Sequence, residues 1–239
     1  LKKHAGAIVQ VAVKNADMPI LYHHWLSPAA RFVRVLLSEK RMDFTLRLEQ
    51  EWDRRPEFLA LNPAGEVPVL VMDSGKCYSG VMAIAEYLEE IAPEPALLIG
   101  TAEERYEIRR LVGWFHTKLG SEVTRHLVSE KLYKRFYGIG EPDSEALRCA
   151  AHNLKTHLSY ISYIAERRHY LASGQFTMAD AAAAAHISVA DYFGNIRWDD
   201  WPQVKEWYMR VKSRRSVRTL LADKIPGLAP SKYYSELDF

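Results

Sequence analysis

Two short stretches of this chain carry residue types from which a binding or catalytic site is made. In the first, Ser27 precedes Pro28 and follows the pair His23-His24. Serine before proline is a helix start, with a capping hydroxyl and then a proline at the first helical position. A hydroxyl there sits in the partial positive charge of a helix N-terminus and can stabilise an anion such as a thiolate. Ser27 as a plain cap is the other reading, and the two are compatible. His23 and His24 are adjacent, so on a strand they point to opposite faces and do not form a metal pair. In the second stretch, Asn62-Pro63-Ala64-Gly65-Glu66-Val67-Pro68 runs directly into Val69-Leu70-Val71. Pro63 and Gly65 mark a turn, and Pro68, which has no N–H to give a ladder, belongs at an edge, a strand start or a special turn. The cis form of an X-Pro bond lies only roughly 0.5–1 kcal/mol above trans. A cis bond here would turn the N–H and C=O of Val67 outward, where they can hold a small thiol peptide by strand addition. A trans Pro68 that simply opens an edge strand fits the same residues.

The elements that position these stretches follow from periodicity. Ile20-Leu21-Tyr22-His23 reads as a short strand, and Phe32, Val33, Leu36 and Leu37 share one face of the helix that begins after Ser27. From Asp43 to Glu49 the chain alternates, with Phe44, Leu46 and Leu48 on one side. A loop or short helix is expected around Arg54 to Leu61, a hairpin around Ser74-Gly75, and a second amphipathic helix through Val81, Ile84, Ala85, Leu88 and Ile91. Residues 18–92 thus read as a β-α-β-(α)-β-β-α domain of the thioredoxin-like type. Pro93-Glu94-Pro95 opens a linker over 93–101, and residues 102–221 are helix-rich. Thr177-Met178-Ala179-Asp180 is a helix-start box of structural character, placed before the alanine run Ala181 to Ala185. Arg214, Arg215 and Arg218 close a later amphipathic helix; they suit a solvated face or an acidic partner. Residues 222–239 form a tail, broken off by Ile225-Pro226-Gly227, and residues 1–17 an extension whose short apolar centre is no signal peptide.

Composition narrows the class. The chain has 239 residues, 48% of them hydrophobic, enough for a substantial core over two domains, and no apolar stretch long enough to span a bilayer. A net charge of +2 argues against a nucleic-acid partner. Cys77 and Cys149 are too few and too isolated for a disulfide scaffold or a metal site, which suits a reducing cytoplasm.

From Met18 to about Leu221 the chain resembles the glutathione S-transferase family. The resemblance rests on Ile20 to Arg34, Asn62 to Leu70, Ala83-Ile84-Ala85-Glu86-Tyr87-Leu88 and Phe176 to Asp180. It implies a thioredoxin-like N-terminal domain with an all-helical C-terminal domain, a homodimer, and glutathione as cosubstrate without any other cofactor or metal. By the same resemblance Ser27 would activate the thiol and Val67 and Pro68 would hold the cysteinyl backbone. An electrophile would then sit against Trp114, Phe115 and Leu119.

The chain departs from the family pattern where an acid or amide and a following Ser or Thr would hold the γ-glutamyl end of glutathione. Those positions are Gly80 and Val81, which offer no side-chain hydrogen bond. Hydrogen bonds to charged groups contribute roughly 1.5–3 kcal/mol each, so two losses weaken binding by about two to four orders of magnitude. Ser79 stands near as a substitute only after a local shift. The tail Ser231 to Phe239 mixes aromatics with acids, and is either packed on its own domain or an interaction motif carried by Tyr233, Tyr234, Leu237, Asp238 and Phe239. Tyr22-His23-His24, Ser79-Gly80-Val81 and the ending Leu237-Asp238-Phe239 resemble the bacterial transferase-like cell-division proteins that bind FtsZ. That branch implies a non-catalytic scaffold, whose last nine residues could be deleted without harm to the fold.

Overall fold

A computed structural model describes residues 18–239; the expected extension at 1–17 lies outside the described residues. Strands β1 (Ile20–His23), β2 (Thr45–Leu48), β3 (Val69–Val71) and β4 (Cys77–Ser79) form one sheet in the order β2-β1-β3-β4. β2 runs parallel to β1, whereas β3 is antiparallel to both β1 and β4. β2 is one of the two edge strands and is exposed along its whole length, so the side shared by Leu46 and Leu48 faces solvent at 43% and 38% exposure.

Helix α1 (Pro28–Glu39) begins where the sequence places it. Ser27 has extended backbone and its hydroxyl accepts from the Ala30 N–H at 3.3 Å. The helix is not simply amphipathic, because every residue from Ala30 to Leu37 is buried. Arg31 and Arg34, which occupy the face opposite the apolar one, are held inside by Asp223 from the far end of the chain. Helix α2 (Pro56–Leu61) leads to the turn at Asn62, where Gly65 adopts φ +72; a Cβ there would lie 3.1 Å from the Leu59 side chain. Helix α3 (Val81–Ile91) closes this half, and a ten-residue connection containing Pro95 reaches the helical half.

The helical half starts with an almost unbroken rod. Helix α4 (Ala102–Gly113) is capped by Thr101 and Glu104 and continues through a π-helical stretch (Trp114–Thr124). It goes on through α5 (Arg125–Val128), a second π-helical stretch (Ser129–Tyr133) and α6 (Lys134–Tyr137). Helix α7 (Ser144–Ala165) is followed by the central α8 (Met178–Tyr192), in which every residue is buried. The Thr177 and Asp180 box has the structural role read from sequence. Asp180 Oδ2 accepts from the Thr177 N–H at 3.0 Å, while Oδ1 accepts from Leu171 N at 2.8 Å and Trp207 Nε1 at 3.0 Å. Helices α9 (Pro202–Lys212) and α10 (Arg215–Leu221) complete the bundle. Among the described residues no helix is long and apolar enough to cross a membrane, and none of their His, Cys, Asp and Glu side chains form a group of three that could hold a metal ion.

The tail packs against the fold. Tyr234 is fully buried, accepting from Arg31 Nη1 at 3.0 Å and donating to the Leu220 carbonyl at 2.8 Å. Phe239 lies edge-on to Trp198 at 4.9 Å and under the Lys212 ammonium at 4.2 Å. The expectation that Tyr234 contacts a partner is therefore corrected, and of the two readings of the tail, packing on its own domain describes Tyr234 and Phe239. Burying two guanidinium groups in α1 requires counter-groups, and Tyr234 is one of them. Tyr233, Glu236 and Asp238 remain exposed.

Candidate functional site

Ser27 stands at the start of α1 and Val67-Pro68 directly before β3, and Glu51 links the Val67 backbone to the cleft that Ser27 lines. The turn before Val67 is built by Asn62, whose Oδ1 accepts from Ala64 N at 3.2 Å and whose Nδ2 donates to the Glu66 carbonyl at 2.8 Å. The Val67-Pro68 bond is cis. Between the start of α1 and the π-helical rod lies a cleft of about 590 Å³, lined among others by Ser27, Pro28, Glu51, His116, Gly120 and Tyr133. The hydroxyl at a helix start is present as the sequence suggested, and an open cleft lies beside it.

The backbone donor, however, is already engaged. Glu51, in the short 3-10 turn after β2, accepts from the Val67 N–H through Oε1 at 2.8 Å and from the Tyr133 hydroxyl through Oε2 at 3.1 Å. Trp52 fixes that turn, packing edge-on against His24 at 5.3 Å, Tyr133 at 5.4 Å and Tyr137 at 4.8 Å. Burial pushes the Glu51 carboxyl upward while its two hydrogen bonds pull it down, and the upward shift prevails. Burial first, and the Glu51 contact after it, hold the Tyr133 hydroxyl far above the ordinary phenol range.

At the start of α3, Gly80 is the N-cap at φ +87 and gives no side-chain cap bond; Val81 is the first helical residue. Ser79 is exposed on β4, paired in register with Val69. A thiol peptide at Val67 would thus compete with the Glu51 carboxyl for the N–H, and Gly80 and Val81 offer it no side-chain hydrogen bond.

Trp114, Phe115 and Leu119, expected against an electrophile, do not line this cleft. Phe115 and Leu119 are 0% and 1% exposed and belong to the core with Val123 and Leu127. Trp114 turns away from the cleft, its indole donating to His157 Nδ1 at 3.2 Å. In this stretch the hydrogen bonds reach back five residues, as from Arg125 N to the Gly120 carbonyl. The cleft is instead lined by His116, Thr117, Gly120, Ser121 and Thr124. His186 of α8 lies behind them, with Nε2 at 3.1 Å from His116 Nδ1 and Nδ1 at 3.0 Å from Thr124 Oγ1. Burial lowers His116 to about 4 and carries His186 well below the usual imidazole range, so both rings are neutral near pH 7. His23 and His24 are likewise lowered to about 4, by burial first. Sequence reasoning missed Glu51, Tyr133, His116 and His186. Glu51 follows shortly after β2, while Tyr133, His116 and His186 lie inside helical segments with no local signal to mark them.

Comparison with known proteins follows this geometry. Residues 21–96 match the glutathione S-transferase N-terminal domain. FtsZ-localized protein A of Caulobacter vibrioides is 45% identical over 222 residues, covering 92% of this chain and 97% of that protein. The crystal structure of a glutathione S-transferase from Rhodospirillum rubrum F11 superposes with a TM-score of 0.91 at 52% identity, covering 93% of this chain and all of that one. FzlA from C. crescentus superposes with a TM-score of 0.90 at 44% identity, with 93% and 100% covered.

Proposed function

Because the chain belongs to the glutathione S-transferase family yet occupies its own thiol-peptide edge, we propose that it is a non-catalytic scaffold that binds FtsZ in the cytoplasm and acts in cell division. The observation that carries this reading is the Glu51 carboxylate on the Val67 N–H. A negatively charged tripeptide would have to displace an anion from that donor and would then find neither acid nor hydroxyl at Gly80 and Val81. The filament partner is inferred from the similar protein called FtsZ-localized protein A.

A scaffold that organises filaments gains from two equal binding faces. The face of α3 and α4 suits a two-fold contact. Tyr106 and Ile91 are exposed at 65% and 43% there, and Arg109 bridges the two helices through a bidentate pair with Glu86 at 2.7 and 3.1 Å. The exposed tail residues Tyr233, Glu236 and Asp238 would contact the partner, positioned by the buried Tyr234 between them.

The test joins two measurements on the same preparation. Calorimetry with glutathione at several millimolar is expected to show no binding, and sedimentation with assembled FtsZ is expected to carry the protein into the pellet. Glutathione binding at millimolar levels together with turnover lost in Ser27→Ala would replace this reading with that of an active transferase.

A further inference from the structure

A second cleft, of about 780 Å³, lies away from the first, between the end of α1, the turn into β2 and the start of α10. It is lined by Met42, Phe44 and Pro95, and by Arg41, Arg214 and Arg215. Arg214 is committed to the fold, bidentate to Glu39 at 2.8 and 2.7 Å. Arg41 and Arg215 are exposed, as is Arg218 one helical turn beyond Arg215, and among the described residues none of the three has a carboxylate within ion-pair distance. Asp43 lines the same cleft and offsets one of these charges, while Glu39 is neutralised by Arg214 and the Ser216 hydroxyl. The cleft keeps a positive field over a partly apolar floor.

Arg41 also occupies a position that favours glycine. Helix α1 ends with Met42 N donating to the Leu37 carbonyl at 3.0 Å and Arg41 N donating to the Ser38 carbonyl at 3.2 Å, with Arg41 itself left-handed at φ +57. That is the Schellman ending, whose left-handed residue is usually glycine because any Cβ is strained there. An arginine held at this place without a partner costs stability and supplies a guanidinium to the cleft. Residues in such conformations concentrate where a side chain has work apart from the fold.

We propose that this cleft docks a short acidic segment of a partner protein, its carboxylates received by Arg41 and Arg215 in the cleft and by Arg218 on the next turn of α10 outside it, and an apolar side chain resting on Met42 and Phe44. Guanidinium groups suit planar carboxylates, and their permanent charge makes the contact independent of pH through the neutral range. The site spans both halves of the molecule, so an occupant would tie α10 to the sheet domain. The proposal does not rest on the identity of the filament partner.

The experiment uses the whole protein and a short fluorescein-labelled peptide of alternating aspartate and leucine, followed by polarisation. A peptide with asparagine in place of aspartate serves as the reference. Binding is expected for the acidic peptide, with a loss of about tenfold for each of Arg41→Gly, Arg215→Gln and Arg218→Gln. Arg197→Gln, a surface charge paired with Asp200 elsewhere, is expected to change nothing. Arg41→Gly should at the same time raise the melting temperature, since it removes the strained Cβ. Equal affinity for the two peptides, or equal loss with Arg197→Gln, would overturn the proposal. So would a lower melting temperature for Arg41→Gly with binding intact, or arginine-dependent binding of inorganic phosphate or anionic vesicles where the peptide does not bind.

Discussion

Removing the Glu51 side chain gives the most direct view of what closes the thiol-peptide edge. In the native protein this carboxylate accepts two hydrogen bonds, from Val67 N at 2.8 Å and from Tyr133 Oη at 3.1 Å. A ligand carbonyl that takes the Val67 donor must break the first and disturb the second. Hydrogen bonds to a charged acceptor contribute about 1.5–3 kcal/mol each, partly recovered when the carboxylate returns to water, so displacement costs on the order of 3 kcal/mol. That is about two orders of magnitude in affinity. Glu51→Ala should therefore improve glutathione binding about a hundredfold over the native protein, and the gain should be seen by calorimetry as an association at millimolar glutathione. Adding Val81→Ser should tighten it further. Gly80→Glu is a poorer addition, because φ +87 strains any side chain. The reasoning fails if native protein and Glu51→Ala bind glutathione equally well, or if Glu51→Ala with Val81→Ser still shows no heat at tens of millimolar while retaining its circular dichroism and melting temperature.

Further outcomes follow from the buried charges. Asp223→Ala leaves the Arg31 and Arg34 guanidiniums without their counter-charge and should lower unfolding free energy by about 3–5 kcal/mol in urea titrations; an unchanged midpoint would refute the pairing. Removing residues 231–239 deletes the Tyr234 contacts to Arg31 and Leu220, so the truncated protein should melt several degrees lower even before any partner is considered. Stability should also fall in mild acid. His23, His24 and His116 titrate near 4 when folded and near 6.5 when unfolded, so the unfolded chain binds more protons between those limits. At pH 5.5 this amounts to about 1.4 kcal/mol for each ring, or roughly 4 kcal/mol in all, relative to pH 7.5. Equal denaturant midpoints at the two pH values would contradict it.

Local chemistry by itself determined a good part of this molecule. Periodicity placed β1, α1 and α3, the Thr177 and Asp180 box placed the start of α8, and Ser27 with Pro28 placed the start of α1, because caps and apolar spacing act within a few residues. The Gly80-Val81 departure was legible too, since a missing side chain is a property of the sequence. Other features were decided only when distant parts of the chain met. Glu51 reaches Val67 across sixteen positions, and Arg31 reaches Tyr234 across two hundred and three. No periodicity encodes such pairs: each depends on where two elements come to rest. The face that the rod turns to the cleft is of the same kind. Packing against α1 and α8 buries Phe115 and Leu119 and leaves His116 and Gly120 to line the cleft. The sequence thus specified a transferase fold with no side-chain hydrogen bond to offer at Gly80 and Val81, and the tertiary structure added the Glu51 carboxyl on the Val67 N–H.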